Sequence, residues 1–250
     1  MTATVATPTR GDARFYAVAG ALVAAGLFHL AVQLVDGGPW TGPVSWRKPI
    51  TFGLSFGATL ATVTWVSGYL ALTPRRRRLL LSVFAAACCL EVAVITVQAW
   101  RGVPSHFNTT TPVNAAFAFS AAAGGAVLVG TTAVLAAACL RLQPRVPPSM
   151  RLGLRVGMAS FAGALLVGVL MIARGVTAAR TGSLDDAYAA AGPLKPLHGA
   201  LMHGIFVLPA LAAATARVDW PERRRVLVVA AACSGYLVTV AAVVAYVIAG

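Results

Sequence analysis

Seven long apolar segments restrict this chain to one class of fold. A helix needs roughly 20 apolar residues to cross about 30 Å of hydrocarbon, and seven segments reach that length, with linkers too short for a separate soluble domain. Because 58% of the residues are hydrophobic and only 11% are charged, an ordinary soluble enzyme and a disordered chain are both excluded. The sequence predicts an all-α bundle, a single transmembrane domain over residues 1–250, with spans at 15–35, 50–72, 79–100, 113–140, 152–173, 197–216 and 226–248.

The basic residues predict how this bundle is oriented. Segments 10–14, 75–78, 141–155 and 217–225 hold 14 of the 20 Lys and Arg residues, and these segments all lie on one side of a seven-span topology. Cytoplasmic loops carry such an excess, so we expect a cytoplasmic N-terminus and an outer C-terminus. The net charge of +13 then faces anionic lipid headgroups and does not indicate nucleic acid as a partner.

The balance of Arg over Lys suggests a source. Arg outnumbers Lys by 18 to 2 and Ala is abundant, a composition that we interpret as bacterial and GC-rich. The lipid bilayer of a bacterial inner (plasma) membrane is therefore the expected location.

Polar residues within the predicted spans are candidates for function, because they are costly in hydrocarbon. Glu91 is the one acid inside a span, ~14 Å from its outer end, and Gln98 lies two turns later on the same face. His29 and Gln33 share a face near the outer end of the first span, and Lys48 precedes the second.

The remaining candidates also belong to the predicted outer half. Arg101 and His106 lie in the outer loop after the third span, while His198 and His203 lie on the sixth. Pro209 should kink the sixth span and leave a small cavity beside Glu91. We therefore expect one outward-facing cluster made by His29, Glu91, Gln98, Arg101, His198 and His203.

Three segments carry a resemblance to a known group of proteins. They are S-W-R-K-P-I-T-F at 45–52, Q-A-W-R-G-V-P-S-H-F-N at 98–108, and 198–209 with its H-x4-H spacing. The chain resembles an uncharacterised family of bacterial multi-pass membrane proteins with no known activity. This resemblance implies only that the outer segments form a unit.

Three functions remain open at this point. The first is binding of a transition metal or a b-type haem with a membrane redox role, because imidazole is a good ligand for such metals. His29 with His198 or His203 would supply the two axial ligands that a b-type haem needs. The second is a transporter or receptor for a small anionic solute, attracted by Lys48, Arg101 and Lys195, with Glu91 as a proton carrier. The third is a membrane-embedded enzyme that uses Glu91 or a histidine as acid or base on a lipid-like substrate. A scaffold without a ligand also remains open.

Overall fold

The computed structural model describes residues 11–249, which form eight α-helices and no β-strand. Seven helical stretches in this range are long and apolar enough to cross a membrane, the sixth being Leu184–Thr215, which confirms the predicted helical class and the number of candidate spans. Arg10, one of the basic residues used to predict orientation, lies outside the described residues. The helices are α1 Ala13–Asp36, α2 Arg47–Ser67, α3 Pro74–Trp100, α4 Pro112–Cys139, α5 Pro148–Thr181, α6 Leu184–Ala191, α7 Lys195–Thr215 and α8 Glu222–Ala249.

Helix starts follow from local chemistry. Thr73 and Thr111 precede α3 and α4, and each side-chain oxygen accepts a hydrogen bond from a backbone amide of the first turn, at 3.3 and 3.2 Å. Proline follows both threonines directly. Proline suits the first turn because the amide it lacks would have no helical partner there.

The structure differs from the prediction between α5 and α7. Helix α5 has 34 residues, so it extends beyond the predicted span 152–173 at both ends. The short helix α6 and a 3-10 turn, Gly192–Leu194, occupy what was predicted as a loop. A capping box explains α6: the Ser183 hydroxyl accepts from the amide of Asp186, while the Asp186 carboxylate accepts from the amide of Ser183.

Glycines set the two closest helix pairs. An added Cβ at Gly53 would lie 2.7 Å from the Cα of Gly26, so α1 and α2 meet backbone to backbone. On α5, a Cβ at Gly153 or Gly157 would lie 2.8 Å from a backbone carbonyl oxygen of α7. Such small-residue pairs allow close approach in a membrane. Helix α3 packs between α2 and α4, and α8 lies against α5 and α7.

The two ends of the bundle differ in chemistry. We call the end with connections 68–73, 140–147 and 216–221 the arginine end, and the end with connections 37–46, 101–111 and 182–194 the aromatic end. The arginine end is tied together by Arg77, whose guanidinium donates to the Asp12 carboxylate at 2.6 Å and to the carbonyl of Thr64 at 2.8 Å. The Glu222 carboxylate accepts from the amide of Ser149 at 2.8 Å and thereby joins α8 to the start of α5. Which end faces the cytoplasm stays a prediction.

Candidate functional site

The 101–111 connection is held as a structured loop at the aromatic end. The Gln98 side-chain amide donates to the carbonyl of Pro104 at 3.3 Å, and the Arg101 guanidinium donates to the Gln98 amide oxygen. Asn108 is buried and its side-chain oxygen accepts from both the amide and the hydroxyl of Thr110. The predicted pair Gln98 and Arg101 is therefore brought together, as the scaffold of this loop.

A single aromatic ring fixes the loop on α5. Phe107 has a left-handed backbone conformation with a φ of 61°, which is costly for a residue with a side chain. Its ring lies directly over Gly175, where an added Cβ would be 2.2 Å from the ring carbon Cζ. The ring also packs edge-on against Tyr188, with centroids 5.4 Å apart.

Tyr188 connects α6 to this loop. Its hydroxyl donates to the carbonyl of His106 at 3.1 Å and accepts from the His106 amide at 3.0 Å. The His106 ring nitrogen Nδ1 lies 3.0 Å from the hydroxyl of the buried Ser105. Burial, and then the positive charge of Lys48, lower the pKa of His106 to about 4, so the ring is neutral at physiological pH.

Lys48 lies beneath the loop at the start of α2. Its ammonium nitrogen is 4.1 Å from the centre of the Tyr188 ring, a cation–π arrangement, and donates to the carbonyl of Pro43. Arg47 and Lys195 are near enough for their charges to act on Lys48. Within residues 11–249 the ion pairs are Arg77 with Asp12 and Arg225 with Glu222, both at the arginine end. Lys48 therefore has no acidic partner among these residues. We call Arg47, Lys48 and Lys195 the cation cluster.

Helix polarity adds to this positive charge. The cation cluster lies at the first residues of α2 and α7, and neither helix has an acid in its first turn or a side-chain cap. Helix N-termini carry partial positive charge and usually attract acidic side chains. Because α7 continues directly from the 3-10 turn Gly192–Leu194, the free helix N-terminus here is that of α2, and its partial positive charge adds to the cation cluster in favour of an anion.

His29 and Gln33 have structural partners. The Nδ1 atom of His29 lies 2.7 Å from the carbonyl of Ala25, and Nε2 accepts from the indole N–H of Trp100 at 3.1 Å. Trp46, which directly precedes α2, stacks on the His29 ring and packs edge-on against Trp100. We call these three side chains the aromatic wedge, where α1, α3 and the start of α2 meet. Gln33 donates to backbone carbonyls that follow the end of α1.

Glu91 faces a different neighbour from the one expected. It is 5% exposed, and its carboxylate lies against Gly124 of α4, where an added Cβ would be 2.9 Å from Oε1. Pro209 packs instead on α5, 3.2 Å from the position of a Cβ on Gly157. The predicted cavity between the kinked helix and Glu91 is therefore wrong: glycines of α4, and not a proline of α7, make room for the acid.

The two histidines of α7 are also apart from the cluster. The Nδ1 atom of His198 lies 2.7 Å from the carbonyl of Ala164 on α5, and that of His203 lies 2.6 Å from the carbonyl of Gly199 on its own helix. His203 is exposed. No group of three or more His, Cys, Asp or Glu side chains in the described part of the chain is placed to hold a metal ion. The proposed metal ligands His29, His198 and His203 are thus not brought together.

The structure divides the predicted cluster into separate environments. It places His106 and Lys48 in contact with a shared partner, Tyr188, which the sequence interpretation missed. The signal that could have revealed this partner is the Ser-x-x-Asp capping box at 183–186, which predicts a short helix carrying Tyr188. The candidate site is therefore the cation cluster under the 101–111 loop.

Comparison with known proteins adds no identification: no family model matches this chain, and no curated protein or solved structure is significantly similar to it.

Proposed function

We propose that this multi-pass membrane protein binds a small anionic solute at the aromatic end, through the cation cluster of Arg47, Lys48 and Lys195. This replaces the metal or haem role as the leading hypothesis. The observation that carries the proposal is a half-buried lysine with two cationic neighbours and no acidic partner among the described residues.

The energetics favour an anion at this position. Like charges repel, and removing a cation from water is costly unless an opposite charge replaces the lost solvation. The aromatic ring of Tyr188 and the carbonyl of Pro43 supply part of that replacement for Lys48. A bound anion would supply the rest, and would at the same time relieve the repulsion within the cluster.

The neighbouring groups set the class of ligand. Lys48 presents a compact charge beside the Tyr188 ring, while Lys195 is exposed. A small solute with one anionic group and a compact apolar body fits this combination, because the apolar part can lie on aromatic surface while the anion meets the lysines.

The histidines argue against the metal hypothesis. A ligating imidazole needs a free nitrogen, but both ring nitrogens of His29 have protein partners. The His198 ring is hydrogen-bonded to a backbone carbonyl of α5, and the His203 ring to one of its own helix α7. These two histidines would have to bind a metal without His29. A visible absorption spectrum of the purified protein tests this directly, because a haem protein shows a Soret band.

Calorimetric titration of the purified protein tests the anion site. Phosphate, sulfate, acetate and benzoate serve as probes at low ionic strength, because salt screens exposed charges. Lys48→Gln and Lys195→Gln should each weaken the binding of a probe by about tenfold or more, as expected when a charged hydrogen-bond partner is lost. Arg180→Gln is the matched control, since Arg180 is an exposed cation at the same end, outside the cluster.

Two results would overturn the proposal. One is wild-type affinity in both lysine variants for every probe that binds. The other is an equal loss in the control, which would indicate a diffuse electrostatic effect and not a site. If the site binds, uptake of the same probe into proteoliposomes separates a transporter from a receptor.

A further inference from the structure

A groove between α4 and α5 at the arginine end has the chemistry of a lipid site. Its volume is about 280 Å³, and one charged side chain lines it. The wall consists of small or apolar side chains together with that arginine: Ala136, Ala137, Cys139, Leu140, Met158, Ala159 and Arg155.

Arg155 lines the groove and keeps guanidinium N–H groups available for a ligand. It is exposed, two turns into α5 from Pro148, which is about 10 Å along the helix axis. One guanidinium nitrogen donates to the carbonyl of Leu140 at 3.3 Å. Segment 140–159 contains no Asp or Glu but three further arginines, and Arg155 is in neither ion pair of the described residues.

These features are complementary to one class of molecule. An arginine guanidinium offers a planar set of donors that matches a phosphate, and the groove beside it offers apolar wall. Ala137 and Ala159 are exposed at the bundle surface, where a membrane helix contacts lipid. A free phosphate would leave the apolar wall uncovered, and an uncharged lipid would leave the Arg155 guanidinium without an anionic partner.

We propose that this groove binds an anionic phospholipid, with its phosphate on Arg155 and an acyl chain along the alanines of α4 and α5. The site is separate from the cation cluster, because it lies at the opposite end of the bundle. Its success or failure is therefore independent of the proposed function.

Native mass spectrometry of detergent-purified protein, titrated with phosphatidylglycerol or phosphatidylcholine, tests this site. The wild type should retain phosphatidylglycerol in preference to phosphatidylcholine, and Arg155→Gln should weaken phosphatidylglycerol retention by about tenfold. Arg145→Gln is the charge control, because Arg145 is an exposed arginine of the same segment that does not line the groove.

A second variant tests the groove and not the charge. Ala137→Leu should fill the groove and reduce retention, whereas Ala133→Leu, at an exposed position of the same helix outside the groove, should not. The four substituted positions are exposed, so the fold should persist in every variant: Arg155, Arg145, Ala137 and Ala133. Equal retention of both lipids, wild-type retention in Arg155→Gln or in Ala137→Leu, or displacement of the lipid by millimolar inorganic phosphate alone would overturn the proposal.

Discussion

The contact between Phe107 and Gly175 gives the sharpest prediction for the aromatic end. In Gly175→Ala the new methyl carbon would lie 2.2, 2.5 and 2.8 Å from three carbons of the Phe107 ring. Because carbon atoms in contact are normally about 3.5–4.0 Å apart, the ring must move by more than 1 Å. Such a movement would disturb its packing against Tyr188.

The expected cost follows from these distances. Overpacking of this kind costs about 1–3 kcal/mol, and the lost aromatic contact adds about 0.5–1.5 kcal/mol. Replacing a helical glycine by alanine returns up to about 1 kcal/mol of helix propensity. The net loss of unfolding free energy should be about 0.5–3.5 kcal/mol. Each kcal/mol lowers the apparent melting temperature by about 2–4 °C.

Thermal unfolding in detergent, followed by tryptophan fluorescence, measures this effect. Gly163→Ala is the control on the same helix, since its methyl group would meet Leu201 at an ordinary 3.7 Å. A double-mutant cycle with Phe107→Ala isolates the contact, because Gly175→Ala should cost nothing once the ring is absent. The reasoning is refuted if Gly175→Ala is as stable as the control, or if its cost persists without the ring.

Three further predictions concern other parts of the chain. Because the pKa of His106 is lowered from 6.5 to about 4 in the folded protein, the unfolded chain takes up the proton first as the pH falls, and stability declines from about pH 6.5 to pH 4 by up to about 3 kcal/mol. His106→Asn should reduce that decline in melting curves recorded across this range. On α4, Gly124→Ala should lower the melting temperature because it displaces the Glu91 carboxylate, whereas Gly125→Ala, 3.7 Å from that carboxylate, should leave it unchanged or raise it; the reverse order would contradict the described packing. Arg77→Gln should lower the free energy of unfolding by about 1.5–3 kcal/mol, because it removes the charged hydrogen bond from the guanidinium to the Asp12 carboxylate at the start of α1, and Arg77→Lys should restore only part of that loss in the same assay because lysine cannot form the fork of bonds.

Local features of the fold could be predicted from the sequence because they depend on neighbouring residues. Apolar length predicts the spans, and proline predicts where several of them begin. The pairs Gly53/Gly57 and Gly153/Gly157 indicate close helix packing, and both pairs lie at close helix–helix contacts in the structure. The sequence does not say which partner each pair meets, because a small-residue motif specifies an approach distance and no identity.

The candidate site depended on contacts between distant parts of the chain. Lys48 and Lys195 are far apart in sequence, and only the packing of α7 beside α2 brings their charges near each other. Glu91 and Gln98, predicted to share a face of α3, are both buried. Their partners were not predicted: one meets a glycine of α4, and the other anchors a loop.

The sequence by itself determined that this chain is a helical bundle with seven helices able to cross a membrane, and where most of those helices start. The tertiary structure alone decided which side chains meet. The physical reason is that a membrane helix is apolar both where it faces lipid and where it faces protein, so hydrophobic periodicity carries little information about its rotation. Polar residues such as His29 and Glu91 mark a helix as unusual, but only packing shows that one closes an aromatic wedge and the other fills a glycine-lined gap.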